Sequence, residues 1–420
     1  MNLAWISLIA LLIAIVVSCT TQLNVGILSL AFAWIVGVYF GGMKVSEVTS
    51  GFPLNLFLTI AGVTLLFSQA QANGTLERLA HQAVRICKGN RGMIPIMFFV
   101  LGCVLASMGP GNIATAALLA PMAMAVAGRT GIPAFLMAIM VGNGANSGAL
   151  APFAPTGIIV NGVMARIGMP GLEWQMYRNV LIGHIVVAFA GYFLLGGWKL
   201  FRRSDHGTVD AAETEQAQPF ETRHWITLAV ILTLITSVIF FQINVGMGAF
   251  GCAVLLAILR VADHQEAIKK MPWGVIIMVC GVTVLIALLE KTQGMDLFTQ
   301  ILAKFTSIGT STAVTAFVTG LVSAYSSTSG VVLPAFLPTI PGLIQHLGGG
   351  DPVAIASSMI LGGHLVDVSP LSTIGALCLA AAAAGEDVVL LFRRLLLWGM
   401  SMTVVGAVMS YLLFGGILAG

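Results

Sequence analysis

Apolar residues run along this chain in stretches too long for strands and too continuous for one-sided surface helices. Residues 3–20, 25–42, 54–71 and 177–200 each approach or exceed the roughly 18–20 residues that carry a helix across a bilayer. Polar positions gather in the short intervals between such stretches. The pattern predicts an all-α integral membrane protein. The first five residues, Met1 to Trp5, contain no basic group. The first apolar stretch is therefore expected to be an uncleaved span and not a signal peptide.

The pattern repeats. Residues 5–26 begin Trp5-Ile6-Ser7-Leu8 and later read Gln22-Leu23-Asn24-Val25-Gly26. Residues 225–246 begin Trp225-Ile226-Thr227-Leu228 and later read Gln242-Ile243-Asn244-Val245-Gly246, an offset of 220 at both ends. Gly62-Val63-Thr64 returns as Gly281-Val282-Thr283, each followed by a polar amphipathic stretch, and Pro155-Thr156 lines up with Ser372-Thr373. The expected organisation is a first repeat over residues 1–203, an exposed polar linker over 204–224 and a second repeat over 225–420.

Composition agrees with lipid solvation: 58% of residues are hydrophobic and 8% charged, against about 25% charged in soluble domains. The six cysteines are scattered, mostly in apolar runs, and form no CxxC pair. They read as small hydrophobes. The net charge of +3 implies no nucleic-acid partner, because the basic residues flank spans.

Those basic residues orient the repeats. If each half has three spans, a pair of half-helices, a broken span and a final span, five crossings remain per half. An odd number inverts the second half. With the N- and C-termini outside, fourteen Lys and Arg fall on the cytoplasmic side, among them Arg78, Arg85, Lys88, Arg91, Arg202, Arg203, Arg260, Lys269 and Lys270. Five (Lys44, Arg166, Arg178, Lys291 and Lys304) fall outside. The bias follows the positive-inside rule. The expected fold is therefore two inverted-topology repeats of five spans each, with two re-entrant hairpins and two broken helices.

Transporters of this kind bind their cargo where broken helices meet at the repeat interface. Gly109-Pro110-Gly111-Asn112 separates two apolar runs of roughly 15 residues, about 22 Å each as helix and short for a span. A hairpin turning at Gly111-Asn112 is expected, with Ser326-Ser327-Thr328-Ser329-Gly330 as its counterpart. Downstream, Gly144-Ala145-Asn146-Ser147-Gly148 precedes Pro152 and Pro155, and Asp367-Val368-Ser369-Pro370-Leu371-Ser372-Thr373 occupies the matching place. Proline removes a backbone donor and unwinds such segments. Freed carbonyls suit a small cation, and the following helix N-termini suit an anion. Any one motif alone also fits close helix packing; four breaks in two matched pairs point to a site. Asp367 is the only carboxylate at a break, either a cation ligand or proton carrier, or else an N-cap for the half-helix at Ser369 or an exposed site near the interface. His184 and His364 fit hydrogen bonding within the bundle. No His/Asp/Glu cluster suits a metal or an enzyme, and no cofactor is expected beyond bound Na⁺.

Asn112-Ile113-Ala114-Thr115-Ala116-Ala117 with Pro121 resembles the hairpin-tip motif of the divalent-anion/sodium symporters, and Ser326-Ser327-Thr328 its second copy. Together with Gly51-Phe52-Pro53, Gln71-Ala72-Asn73-Gly74-Thr75 and Val366-Asp367-Val368-Ser369-Pro370, the chain is most similar to the malonate/dicarboxylate carrier (MatC-type) branch of that superfamily. The resemblance implies a scaffold and a mobile transport domain, usually in a homodimer, and elevator-type transport of a dicarboxylate with Na⁺ or H⁺. By position it assigns Gly111, Asn112, Thr156, Ser326, Ser327, Thr328, Ser372 and Thr373 to the substrate. It assigns Gly109, Asn146, Ser147, Ser329, Asp367 and Ser369 to the cation. Gly111 and Ile113 stand where the motif has serine and threonine, so the first half lacks two hydroxyls.

The expectation is a secondary transporter of small carboxylates such as malonate or succinate in the bacterial inner membrane, with lipid and a second copy as partners. Two alternatives share the architecture: the large membrane subunit of a binding-protein-dependent carboxylate transporter, and an inorganic oxyanion exporter.

Overall fold

The computed structural model describes residues 2–21, 23–87, 90–201, 219–241, 243–383 and 385–417. Lys88, Arg202, Arg203 and residues 204–218 of the expected linker lie outside the described residues, as do the side chains of Cys19 and Arg85.

Helices account for nearly all of the described chain. The first half runs α1 (Leu3–Thr20), α2 (Val25–Trp34, continued by a π-helical stretch Ile35–Phe40), the short α3 (Val45–Thr49), α4 (Leu54–Ala72) and amphipathic α5 (Thr75–Ile86). Then come α6 (Met93–Met108), α7 (Gly111–Thr130), α8 (Ala134–Gly148), α9 (Pro155–Arg166) and α10 (Glu173–Leu194). The second half repeats the order with α11 (Thr222–Phe241), α12 (Val245–Ile258), α13 (His264–Lys270), α14 (Trp273–Lys291), α15 (Gly294–Lys304) and α16 (Ser311–Ser323). Helical segments Thr328–Val332, α17 (Leu333–Phe336) and α18 (Ile340–Leu347) follow, then α19 (Pro352–Val366), α20 (Thr373–Ala380) and α21 (Val388–Leu412). The helix α11 starts at Thr222, so the last three positions of the expected linker are helical.

The chain is an all-helical multi-pass membrane protein. Among the described residues six helices are long and apolar enough to cross a membrane, or seven if the bent pair Gly294–Lys304 and Ile308–Ser323 is one span. That pair turns by 90° where the amphipathic α15 meets α16. One expectation changes: α7 has 20 residues, not about 15. Gly128-Arg129-Thr130 keep the helix going until Gly131, whose left-handed φ of +64° stops it.

The repeated motifs have visible causes. Asn24 and Asn244 are N-caps: Asn24 Oδ1 accepts Gly26 N at 2.9 Å and Asn244 Oδ1 accepts Met247 N at 3.0 Å. The repeated glycines let the halves interlock. A Cβ on Gly26 would lie 2.2 Å from Ile277 O, and one on Gly281 would lie 2.1 Å from Gly26 O. The partner crossing is built the same way, with a Cβ on Gly62 lying 2.4 Å from Gly246 O. Thus α2 crosses α14 at backbone contact, and α12 crosses α4. Matching hydrogen bonds pin the same exchange. Ser7 and Thr292 share one at 2.7 Å, and Asn73 Nδ2 donates to Thr227 Oγ1 at 2.8 Å.

The helices fall into two sets by packing. One interlocks α1, α2, α4, α11, α12, α14 and α15; the other gathers α6 with α8, α16 with α19, and α10 and α21 against them. The face of α4 meets α9, and α14 meets the segment Thr328–Val332. The breaks therefore sit where the two sets touch.

Candidate functional site

At the first turn, Gly109 and Pro110 join α6 to α7. Gly109 has φ +141°, and a Cβ there would lie 1.9 Å from a ring carbon of Phe67 on α4. Gly111 has φ +77°, with room only for the Pro155 ring, 2.9 Å from a notional Cβ. Backbone conformation thus explains why glycine stands where the resembling motif has serine: a side chain in the left-handed region costs about 1–2 kcal/mol.

From this tip a hydrogen-bonded path crosses the breaks. Asn112 Nδ2 donates to Asn146 Oδ1 at 2.8 Å, and Asn146 Nδ2 donates to the His364 carbonyl on α19 at 2.9 Å. Thr156, the second residue of α9, shares a hydrogen bond of 2.9 Å with Ser329. The first tip, both broken segments and the second tip are so joined by side chains buried to 6% exposure or less. Ser147 lies beside the path, but its hydroxyl donates to Gly144 O of its own helix at 2.7 Å.

The second break is built around a carboxylate. Asp367 Oδ1 accepts the Thr328 hydroxyl at 2.7 Å and the Ser372 hydroxyl at 3.0 Å. Ser323 hydrogen-bonds Thr328 and donates to Gly363 O at 3.0 Å. Asp367 therefore bridges the second hairpin tip to the second break through side chains, and the N-cap alternative is not the arrangement found. Ser327 caps the helical segment after it, accepting Gly330 N at 3.1 Å. Ser326 and Ser369 are buried beside this cluster, and the Ser369 hydroxyl accepts Leu371 N at 3.4 Å.

Register decides one expected residue. Gly157 N donates to Ala149 O and Gly375 N to Asp367 O, each at 3.0 Å, so the two breaks match at an offset of 218. Pro155 and Thr373 are both the first residues of their helices. The match of Pro155-Thr156 with Ser372-Thr373 is thus displaced by one: the counterpart of Thr156 is buried Ile374, and Thr373 is exposed. The structure does not bring Thr373 into the cluster.

A cavity of about 260 Å³ lies against the first break. Gly111 and Asn112 at the start of α7, Pro155 and Thr156 at the start of α9, and Ser329 line it. The N-termini of α7 and α9, with the start of the segment Thr328–Val332, therefore face one space, and their dipoles turn partial positive charge towards it. The opposite wall is α4 with Thr64, Ser68 and Gln71, and Lys270 at the end of α13 completes it. No Asp or Glu lines this cavity among the described residues. Sequence reasoning missed the α4 side chains and Lys270. The signal available was the run of polar residues along one face of α4, visible only once the cavity is known.

The paired histidines meet in the core: the His184 and His364 rings have centroids 6.2 Å apart. His184 Nδ1 bonds Asn143 Oδ1 at 2.9 Å. Neither ring nitrogen of His364 has a partner among the described residues, so bundle hydrogen bonding holds for the first histidine only. No group of three or more His, Cys, Asp or Glu able to hold a metal occurs among the described residues.

The chain is similar to the crystal structure of the Alcanivorax borkumensis YdaH transporter, with TM-score 0.60 and 15% identity over 88% of this chain and 87% of that one. That likeness shows a shared fold. No curated protein matches the sequence. Residues 1–149, from α1 through the first hairpin tip to the end of α8, match the model for the N-terminus of the dicarboxylate carrier protein MatC. Over that N-terminal region, about a third of the chain, the sequence is similar to the MatC dicarboxylate carrier family.

Proposed function

We propose that this protein is a secondary active transporter that moves a small dicarboxylate, such as malonate or succinate, together with Na⁺ or H⁺. The observation that carries the reading is the convergence of the starts of α7, α9 and the segment Thr328–Val332 on one cavity that no Asp or Glu lines among the described residues. Partial positive charge there, with the first-turn amides of α7, favours a carboxylate. The Asp367 cluster supplies the complementary chemistry, because its carboxylate and hydroxyl oxygens and the Gly363 carbonyl are the hard donors a small cation takes.

The substrate set is Asn112, Gly111, Thr156 and Ser329 at the cavity. Thr328, Ser372, Ser323 and Asp367 form the cation set, with Asn146 linking the two. The two halves are inverted repeats of five crossings each, joined by the linker, with both termini outside the bacterial inner membrane. The interlocked helices are the scaffold, the hairpins and broken helices the moving body, and alternating access is an elevator movement of one against the other. The protein works as a homodimer. The cavity lies beside α5 and α13, whose basic residues put it on the cytoplasmic side.

Uptake by proteoliposomes containing only this chain tests the proposal. Malonate or succinate should accumulate under a sodium or a proton gradient. Accumulation under neither gradient sinks the reading; uptake restored only by an added binding protein turns it towards the multi-subunit alternative.

A further inference from the structure

The cavity has one charged wall residue. Lys270 ends α13, its residue is exposed, and it lines the same space as Asn112 and Thr156. Its neighbour Lys269 reaches Glu266 at 3.6 Å, whereas Lys270 makes no ion pair among the described residues. No other ionisable side chain lines the cavity among the described residues. We propose that Lys270 is a charge-selecting residue, holding the second carboxylate of a dianion whose first carboxylate sits on Asn112, Thr156 and the helix N-termini.

The inference rests on the carboxylate-transport reading and adds what sets preference for two charges over one. Neutral amides, hydroxyls and helix ends suffice for a single carboxylate and do not count charges. An ammonium does, as a compact point charge with three donors on a flexible stem. Walls such as Phe67, Ile113, Ile159 and Val275 are apolar, and an apolar cleft focuses a charge placed at its edge. The volume of about 260 Å³ lies just below the roughly 300–1,000 Å³ of pockets for drug-sized ligands, which suits a dianion of a few carbons. Lys270 also sits in the last turn of α13, where a cation complements the helix dipole. That role alone would not require it to face the cavity, and Lys269 already fills it. The short helix at the matching place in the first half, α3, has no basic residue in its last turn. The repeat architecture therefore does not demand a lysine here.

The test compares wild type, Lys270→Arg and Lys270→Gln in proteoliposomes, with malonate as the dianion and acetate as a competing mono-anion. Lys270→Gln should raise the KM for malonate about tenfold with kcat nearly unchanged, and raised salt should erase most of the difference. Lys270→Arg should stay within about threefold of wild type, since it keeps the charge. Inhibition by acetate should not move. An unchanged malonate KM in Lys270→Gln, or malonate and acetate weakening together, overturns the assignment while leaving transport intact. If wild type transports neither, calorimetric titration of malonate into the purified chain replaces uptake. Equal binding by wild type and Lys270→Gln, or no binding by either, also overturns it.

Discussion

The two breaks occupy matching places in the repeat and carry opposite chemistry. At the first, Asn112 and Asn146 present amides beside a cavity that no acidic residue lines among the described residues. At the second, Asp367 draws Thr328 and Ser372 inward with its carboxylate. The backbone geometry is shared, down to the Gly157 and Gly375 amides that close each break at the same offset. The divergence lies in single positions: Asn146 matches His364, Ala149 matches Asp367, and Thr156 matches Ile374 at that offset. Duplication thus supplies two unwound segments, and side-chain replacement makes them chemically different; on the proposed function one serves an anion and the other a cation.

The sharpest way to break this comparison is at Asp367. Asp367→Asn should abolish or strongly reduce cation-driven uptake, because a neutral amide no longer balances a cation. Uptake with unaltered dependence on Na⁺ and pH would remove Asp367 from coupling. Next comes Asn112→Ala. It leaves Asn146 Oδ1 buried without its donor, a loss of about 1–3 kcal/mol, which if carried into binding is roughly fivefold or more in apparent affinity. Uptake should fall by at least that factor while size-exclusion behaviour stays that of wild type and the melting temperature drops by only a few degrees; unchanged kinetics would take the first tip out of the site.

A smaller effect is expected at Gly111. Gly111→Ser restores the hydroxyl of the resembling motif, yet its φ of +77° and the Pro155 ring oppose a side chain. Strain of about 1–2 kcal/mol should lower the melting temperature and gain no transport; a faster or tighter transporter would show that the missing hydroxyl, not the backbone, governs this half. The smallest effect is expected at Thr373, which is exposed outside the cluster. Thr373→Val should leave KM within error, whereas Thr156→Val, which breaks the bond to Ser329, should raise it measurably. Equal effects would mean that the two breaks are used alike.

Much of this was legible in the sequence because it is local or periodic. Long apolar runs dictate helices in lipid, since no water satisfies an open backbone there. The Asn-Val-Gly repeats marked equivalent places in the two halves, which the structure shows to be helix caps and crossings, and the clusters of Gly, Pro, Ser and Asn marked all four breaks. Other features were fixed only by distant segments packing together. A slip of one residue turns a helical side chain by about 100°, which is why Thr373 faces out and Ile374 takes the place of Thr156. One partner of Asp367, Thr328, comes from a hairpin 39 residues away in sequence. The α4 wall and Lys270 join the cavity only because the halves interlock, since hydropathy reports how much of a helix is apolar and not which neighbour its few polar groups will meet.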